Sequence, residues 1–194
     1  MTPHPGDTIA AVSSAPGAGP RAVVRVTGPA ARRVVDAVFA AAVVGPNGRL
    51  SRGSVRLSGV RSPLPADLYF WPAPRTYTGQ DLAEIHTVSS PPLVERLVAD
   101  LLAAGARPAQ PGEFTLRAFL AGKKDLPQAE AVLAVIEAGT DADLRAALAQ
   151  LAGGVTRPLE AVRDDLLNLL ADVEAGLDFV DEDIAFVGKA DVLG

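Results

Sequence analysis

The 194-residue sequence contains no cysteine and only two histidines, His4 and His86. It therefore offers no disulfide framework, no thiol nucleophile and no thiolate ligand for zinc, and two isolated imidazoles do not form a zinc-binding pattern. Its apolar runs stay well below the roughly 18 residues that a membrane-spanning helix needs, and its N-terminus lacks a charged-then-apolar signal pattern. These absences predict a cytoplasmic protein with no membrane association and no metal site.

Clustered positive charge is also absent. The formal net charge is −5, and the basic residues are scattered apart from short pairs such as Arg32-Arg33 and Lys123-Lys124. Affinity for nucleic acid comes mostly from clustered lysine and arginine. We therefore expect any contact with RNA to be indirect, through another protein or another domain.

Hydrophobic residues make up 48% of the chain, which is enough to form a core. Up to about residue 115, short β-type runs alternate with connections rich in proline and glycine, whereas from Gly112 onward alanine and leucine recur at helical spacing. This pattern predicts an α+β fold, with an N-terminal mixed-sheet domain over residues 1–118 and a partial helical bundle over residues 119–194. The predicted strands are 9–13, 22–26, 54–60, 66–70 and 84–88, and the predicted helices of the first domain are 30–41 and 93–104.

Three helix starts are predicted in the second domain. Asp125 with Gln128 has the pattern of a capping box, and Thr140 with Asp143 could open the next helix. Pro158 is suited to the start of a third helix, whose apolar residues recur at spacings of three and four. We expect that apolar stripe to be buried against other helices or another subunit.

The sequence contains two Gly-Lys pairs, Gly122-Lys123 and Gly188-Lys189, but neither fits a phosphate-binding loop. Lys124 and Ala190 stand where that loop requires serine or threonine, and the earlier glycine is missing. No nucleoside triphosphate site is therefore predicted. His86 has no second histidine or cysteine nearby, which favours a structural imidazole over a metal ligand.

Four charged residues lie in or beside apolar segments: Arg25, Glu84, Arg117 and Lys123. An unpaired buried charge costs several kcal/mol, so such residues have an ion-pair partner, bind a ligand or extend to water. The residues alone favour ion pairing and exposed head groups, and leave ligand binding open.

Several motifs occur in a fixed order over nearly the whole chain. In that order they resemble the N-terminal region of the tRNA modification GTPase family (MnmE/TrmE). The motifs are Asp7-Thr8-Ile9-Ala10-Ala11, Pro16-Gly17, Val23-Val24-Arg25-Val26-Thr27-Gly28, Arg75-Thr76-Tyr77-Thr78-Gly79-Gln80-Asp81-Leu82-Ala83-Glu84-Ile85-His86, Pro111-Gly112-Glu113-Phe114-Thr115-Leu116-Arg117-Ala118-Phe119-Leu120, Lys123, Asp125-Leu126, Gln128-Ala129-Glu130-Ala131, Gly176-Leu177-Asp178-Phe179 and Asp181-Glu182-Asp183-Ile184.

The resemblance implies a fold and a function. It implies an N-terminal domain related to folate-binding domains of the glycine-cleavage T-protein type, which forms a homodimer. Its cofactor would be a tetrahydrofolate derivative, 5-formyl- or 5,10-methylene-tetrahydrofolate, supplying one carbon to C5 of the wobble uridine in certain tRNAs. An FAD-dependent partner of the MnmG/GidA type would take part. A helical domain would follow, and the chain would stop near the start of a GTPase domain, so that it does not hydrolyse GTP alone.

Three positions that contact the folate in that family match here, namely Arg25, Glu84 and Lys123. A pterin ring offers adjacent N–H donors that a carboxylate such as Glu84 can accept, and the carboxylates of the folate tail can pair with Arg25 or Lys123. Asp125 and Gln128 are then expected to cap the helix that follows, and Lys124 is expected to face solvent. No catalytic residue is predicted.

The sequence departs from the family pattern in two loops. Gly17-Ala18-Gly19-Pro20 replaces a Gly-Arg-Gly-Gly loop, and Val88-Ser89-Ser90 replaces a His-Gly-Gly turn. Both departures are expected beside the folate cleft. Two alternatives therefore stay open, a non-catalytic dimerisation scaffold that has lost folate binding and a stand-alone folate-dependent transferase.

Overall fold

The computed structural model describes residue 4 and residues 6–45 and 48–178. The chain forms two compact units, Met1–Lys124 and Asp125–Gly194. The first is a mixed sheet with helices, and the described part of the second is helical. The α+β fold class is therefore confirmed.

A seven-stranded sheet forms the first unit, in the order β3-β4-β5-β6-β2-β1-β7. Neighbouring strands are antiparallel except β1 and β7, which are parallel. The strands are β1 Ile9–Val12, β2 Gly19–Thr27, β3 Phe39–Val44, β4 Leu50–Val55, β5 Leu64–Trp71, β6 Leu82–Ser89 and β7 Arg107–Pro108.

The core lies between the sheet and two helices, α1 (Ala31–Asp36) and α2 (Pro91–Ala103). Alternate residues of the central strands, such as Val24 and Ile85, are fully buried with Leu97 of α2. Because successive side chains of a strand point to opposite faces, the residues between these core positions face away from the helices. The other side of the sheet is therefore available for a site.

Four predicted strands, 9–13, 22–26, 66–70 and 84–88, are confirmed at the centres of β1, β2, β5 and β6. The predicted helix 30–41 is wrong beyond Asp36, since Phe39–Val44 forms β3 and pairs with β4 through Phe39 opposite Val55. An alanine-rich run carries no clear period, and long-range pairing decides its conformation. The predicted strand 54–60 is wrong beyond Val55. The observed strand, β4, covers Leu50–Val55, because its pairing with β5 ends at Val55 and a turn follows.

A third helix of the first unit, α3 (Glu113–Leu120), is anchored by a buried ion cluster. The side chain of Glu113 is only 1% exposed. It accepts hydrogen bonds from Nη1 and Nη2 of Arg107 at 2.8 and 2.6 Å and from Nη2 of Arg117 at 3.0 Å. Arg107 Nε also donates to Oδ2 of Asp7 at 2.7 Å. We call Asp7, Arg107, Glu113 and Arg117 the Glu113 cluster; the ion pairing favoured for Arg117 is confirmed.

This cluster changes the acidity of its carboxylates. Hydrogen bonds from Arg107 lower the pKa of Glu113 from 4.5 to about 2, against the opposing effect of burial, and further bonds from the Gln110 backbone and Arg117 act in the same direction. The hydrogen bond from Arg107 also lowers the pKa of Asp7. Glu113 is therefore ionised at neutral pH despite its burial.

The second unit contains α4 (Leu126–Glu137), α5 (Asp141–Leu151) and α6 (Thr156–Asp178). The capping box of Asp125 and Gln128 is confirmed, and Thr140 caps α5 by accepting from the Asp143 backbone N–H. Helix α6 begins two residues before Pro158. Its apolar residues, including Leu159 and Leu166, are exposed in the single chain over the described residues, so burial of the stripe against another subunit stays a prediction. No described helix is both long and apolar enough to cross a membrane.

We predict that Glu113→Gln lowers the free energy of unfolding at pH 7 by about 3 kcal/mol, because it leaves the buried guanidinium of Arg117 and the partly buried one of Arg107 without their shared charge partner. In the wild type, the folded pKa of Glu113 lies below the unfolded value of 4.5, so its contribution is present above pH 4.5 and is lost as the pH falls toward about 2. Urea unfolding followed by fluorescence of Trp71, the single tryptophan, measures both effects.

The matched control is Glu160→Gln, because Glu160 is exposed on α6. It should leave stability within about 0.5 kcal/mol of the wild type. An E113Q protein as stable as the wild type, with the same loss of stability in acid, would show that the cluster does not anchor α3.

Candidate ligand cleft on the sheet

The antiparallel register of β2 and β6 places Arg25 directly opposite Glu84. Both Nε and Nη2 of Arg25 lie 2.8 Å from Oε1 of Glu84. The two side chains are 31% and 16% exposed, so the ion pair is partly accessible. Two of the three predicted site residues are therefore brought together, on the sheet face that points away from α1 and α2.

This ion pair lines a cleft of about 430 Å³, within the size range of small-molecule sites. Its walls combine aromatic and apolar surface with two guanidinium groups and one carboxylate, so it suits a flat ring that also carries polar groups. We call it the Arg25–Glu84 cleft. It is lined by Arg25, Trp71, Arg75, Thr76, Tyr77, Leu82 and Glu84.

Helix α3 supports two sides of the cleft. The Phe114 ring packs against the guanidinium of Arg25, with 5.6 Å between Cζ and the ring centroid. The next residue, Thr115, has its hydroxyl 3.1 Å from the hydroxyl of Tyr77. Because the Glu113 cluster anchors the start of α3, it also fixes these two contacts.

The segment between β5 and β6 forms the remaining wall and is tied down at several points. Nη1 of Arg117 donates to Oε1 of Gln80 at 2.9 Å. The hydroxyl of Thr27 donates to the carbonyl of Asp81 at 2.9 Å and lies 2.7 Å from the hydroxyl of Thr78. This wall is therefore connected to both β2 and the Glu113 cluster.

Gly79 allows this segment to approach the turn after α3. Its φ angle is +75°, and a Cβ at this position would lie 2.9 Å from Cβ of Ala121. Both the backbone conformation and the close approach require glycine.

The third predicted site residue, Lys123, is exposed and does not line the Arg25–Glu84 cleft. It lies in the turn after α3, where its backbone N–H donates to the carbonyl of Ala118 at 2.9 Å. Its role in ligand binding stays a prediction. Lys124, which we expected to face solvent, is half-buried, with Nζ 5.6 Å from the centroid of the Tyr77 ring.

His86 extends the polar contacts along β6. Its Nε2 lies 3.1 Å from Oε2 of Glu84, and its ring lies 4.7 Å from the ring of Tyr69. Among the described residues, no group of three or more histidines and carboxylates could hold a metal ion. The environment of His86 is that of a structural imidazole.

The two loops that depart from the family pattern contact each other. The Ser89 hydroxyl donates to the carbonyl of Gly17 at 2.6 Å, and Gly19 pairs with Ser89 in the sheet. Neither loop contributes a residue to the lining of the Arg25–Glu84 cleft. Gly17 and Ser89 line a separate crevice of about 170 Å³.

Four residues that shape the cleft were not predicted individually. Arg75 and Tyr77 belong to a motif on which the family resemblance rests. The motif does not show where their side chains point. Phe114 on α3 belongs to another motif of that resemblance, which likewise gave no direction for its side chain, and Trp71 at the end of β5 carries no local signal. Only the register of the sheet and the packing of α3 bring them to Arg25 and Glu84.

The chain thus combines an α+β domain, with an ion pair in a cleft on its mixed sheet, and a helical unit. The corresponding family profiles match in order: the GTP-binding protein TrmE N-terminus over residues 8–123, and the MnmE helical domain over residues 126–194. The chain therefore belongs to the MnmE/TrmE family of tRNA modification GTPases, and it corresponds to the family's N-terminal region.

Individual relatives agree with the profiles. The chain is 48% identical over 190 residues to the tRNA modification GTPase MnmE of Rhodopirellula baltica, covering 96% of this chain and 41% of the relative. The MnmE proteins of Heliobacterium modesticaldum and Thermus thermophilus are 44% and 43% identical, covering 95% and 92% of this chain and 41% and 42% of their own lengths. The chain thus spans about two-fifths of the length of these curated relatives.

We predict that Gly79→Ala destabilises the first unit by about 1 kcal/mol more than Gly122→Ala, which provides a matched control. Both glycines have positive φ, but a Cβ at Gly122 meets nothing within 4 Å, whereas one at Gly79 meets Ala121. Urea unfolding monitored by Trp71 fluorescence measures the difference. Equal losses in the two variants would show that the approach to Ala121 does not constrain this wall.

Proposed function

We propose that this region is the tetrahydrofolate-binding and dimerisation module of a tRNA-modifying system that acts on C5 of the wobble uridine. The observation that carries the proposal is the Arg25–Glu84 ion pair, accessible within a cleft of about 430 Å³ that also has aromatic walls. Family membership supports it, because the resemblance that predicted Arg25 and Glu84 as folate contacts is to this same family.

The cleft has the chemistry that a pterin ring requires. Trp71 and Tyr77 provide aromatic surface for a flat ring, and Glu84 provides a carboxylate for adjacent N–H donors. Each carboxylate oxygen has two lone-pair directions, so Glu84 can bind Arg25 and still accept from a ligand. Arg25 fixes the position of this carboxylate through Oε1.

The charges around the cleft suit the other end of a folate. Arg75 lines the cleft, and its guanidinium can pair with a carboxylate of the ligand tail. Lys123 lies in the exposed turn after α3 and is proposed as a second partner for that tail. A tetrahydrofolate derivative, when bound, supplies the one-carbon unit, while these side chains bind and orient it.

The proposed partners follow from the family and from the charge of the chain. We propose a homodimer and an FAD-dependent partner of the MnmG/GidA type. The net charge of −5 supports only indirect contact with tRNA. Neither Gly-Lys pair fits a phosphate-binding loop, so GTP hydrolysis is not assigned to these residues. The proposed location is the cytoplasm.

We predict that 5-formyltetrahydrofolate binds the purified protein with a Kd below about 1 mM, and that Glu84→Ala abolishes this binding, since it removes the carboxylate that pairs with the pterin donors. Titration calorimetry measures the affinity, and quenching of Trp71 provides an independent readout because this single tryptophan lines the cleft. The E84A protein should stay folded and dimeric, as measured by circular dichroism and light scattering.

The control is Glu160→Ala, which removes an exposed carboxylate on α6 and should bind like the wild type. A folded, dimeric wild-type protein that gives no heat near 1 mM ligand would instead support a scaffold without folate binding. Unfolding of the E84A protein would show that Glu84 serves only as a structural ion-pair partner.

A further inference from the structure

Glu84 is held from two sides. Its Oε1 accepts from Arg25, and its Oε2 lies 3.1 Å from Nε2 of His86. The side chains of Glu84 and His86 are 16% and 15% exposed, so both oxygens are held in a largely desolvated environment. The contact between Glu84 and His86 is separate from the ion pair between Glu84 and Arg25, and it determines the tautomer of the His86 ring.

The contact selects one form of the His86 ring. An ionised carboxylate only accepts hydrogen bonds, so Nε2 must carry the proton that Oε2 accepts. In the neutral ring, Nδ1 then carries only a lone pair. Nδ1 is buried and has no partner among the described residues. The opposite tautomer would bury an N–H without an acceptor and would lose the bond to Glu84, so it is disfavoured on both counts.

The ring is also fixed in position. Tyr69 stands opposite Glu84 in the register of β5 and β6, and its ring lies 4.7 Å from the His86 ring at an angle of 50°. Tyr69 in turn stacks on Trp71, with 5.9 Å between centroids, and Trp71 lines the Arg25–Glu84 cleft. His86 therefore packs against Tyr69, which stacks on Trp71 in the wall of the cleft. At the same time His86 contacts Glu84, the carboxylate of the cleft.

We propose that His86 is a positioning residue, which holds Glu84 in the orientation that accepts the adjacent N–H donors of a pterin-like ring. This inference rests on the proposed function of the cleft. With Arg25 on one oxygen and His86 on the other, the carboxylate cannot rotate freely, so its remaining lone pairs keep a fixed direction. A fixed acceptor loses less conformational freedom when the ligand binds.

The test compares His86→Leu with His86→Gln. Leucine removes the donor to Oε2, whereas glutamine keeps an N–H donor on a side chain of similar reach. We expect H86L to raise the Kd for 5-formyltetrahydrofolate about tenfold and H86Q to stay within about twofold of the wild type. Both variants should unfold near the wild-type urea midpoint, so that loss of affinity is not loss of fold.

A second readout needs no ligand. The chain has only two histidines, so long-range proton–nitrogen NMR spectra resolve both rings, and the ring signals that disappear in H86Q belong to His86. We expect the His86 ring to be protonated at Nε2 in the wild type and to lose this single tautomer in Glu84→Ala.

The outcomes separate the two claims. If the wild type binds folate but H86L binds equally well, or H86Q is weakened as much as H86L, the positioning role is overturned. A proton on Nδ1 in the wild type overturns it as well. If H86L does not fold, near-wild-type affinity in H86Q supports the role. If the wild type binds no folate, the proposed function falls and the role of His86 falls with it, whichever tautomer the spectra show.

Discussion

The first unit is organised around one buried carboxylate, that of Glu113. An ionised group with only 1% of its side chain exposed must be paired, and Glu113 is paired with Arg107 and Arg117 at once. Arg107 comes from the strand at one end of the sheet, and both guanidiniums also bind Asp7 near the start of the first strand. The electrostatic requirement of one side chain thus joins the N-terminal segment, the edge of the sheet and α3.

The candidate site depends on this connection. Helix α3 carries Phe114 and Thr115 to the cleft, and Arg117 reaches Gln80 in the segment that forms another wall. The ion pair at the centre is set separately, by the register that places Arg25 opposite Glu84. A rigid sheet therefore positions the polar groups, while the Glu113 cluster positions the surfaces around them, and the two together give the cleft both its chemistry and its shape.

Local patterns predicted part of this architecture. The capping box at Asp125 and Gln128 and the cap at Thr140 were readable because they are local hydrogen-bond motifs. The strand Phe39–Val44 was missed because its partner, β4, and not its alanine-rich sequence, decides its conformation. The pairing of Arg25 with Glu84, 59 residues apart, has no local signal, and these two residues were selected only through the family resemblance. The contact of Lys124 with Tyr77 likewise depends on tertiary packing.

The proposed function requires the Arg25–Glu84 cleft to hold a pterin ring through Glu84, and a crystal structure of the protein with 5-formyltetrahydrofolate tests this. We expect the ring between the side chains that line the cleft, with its adjacent N–H groups about 2.9 Å from the carboxylate oxygens of Glu84. A ligand bound at another place on the sheet, or a ring in this cleft with no hydrogen bond to Glu84, would contradict it.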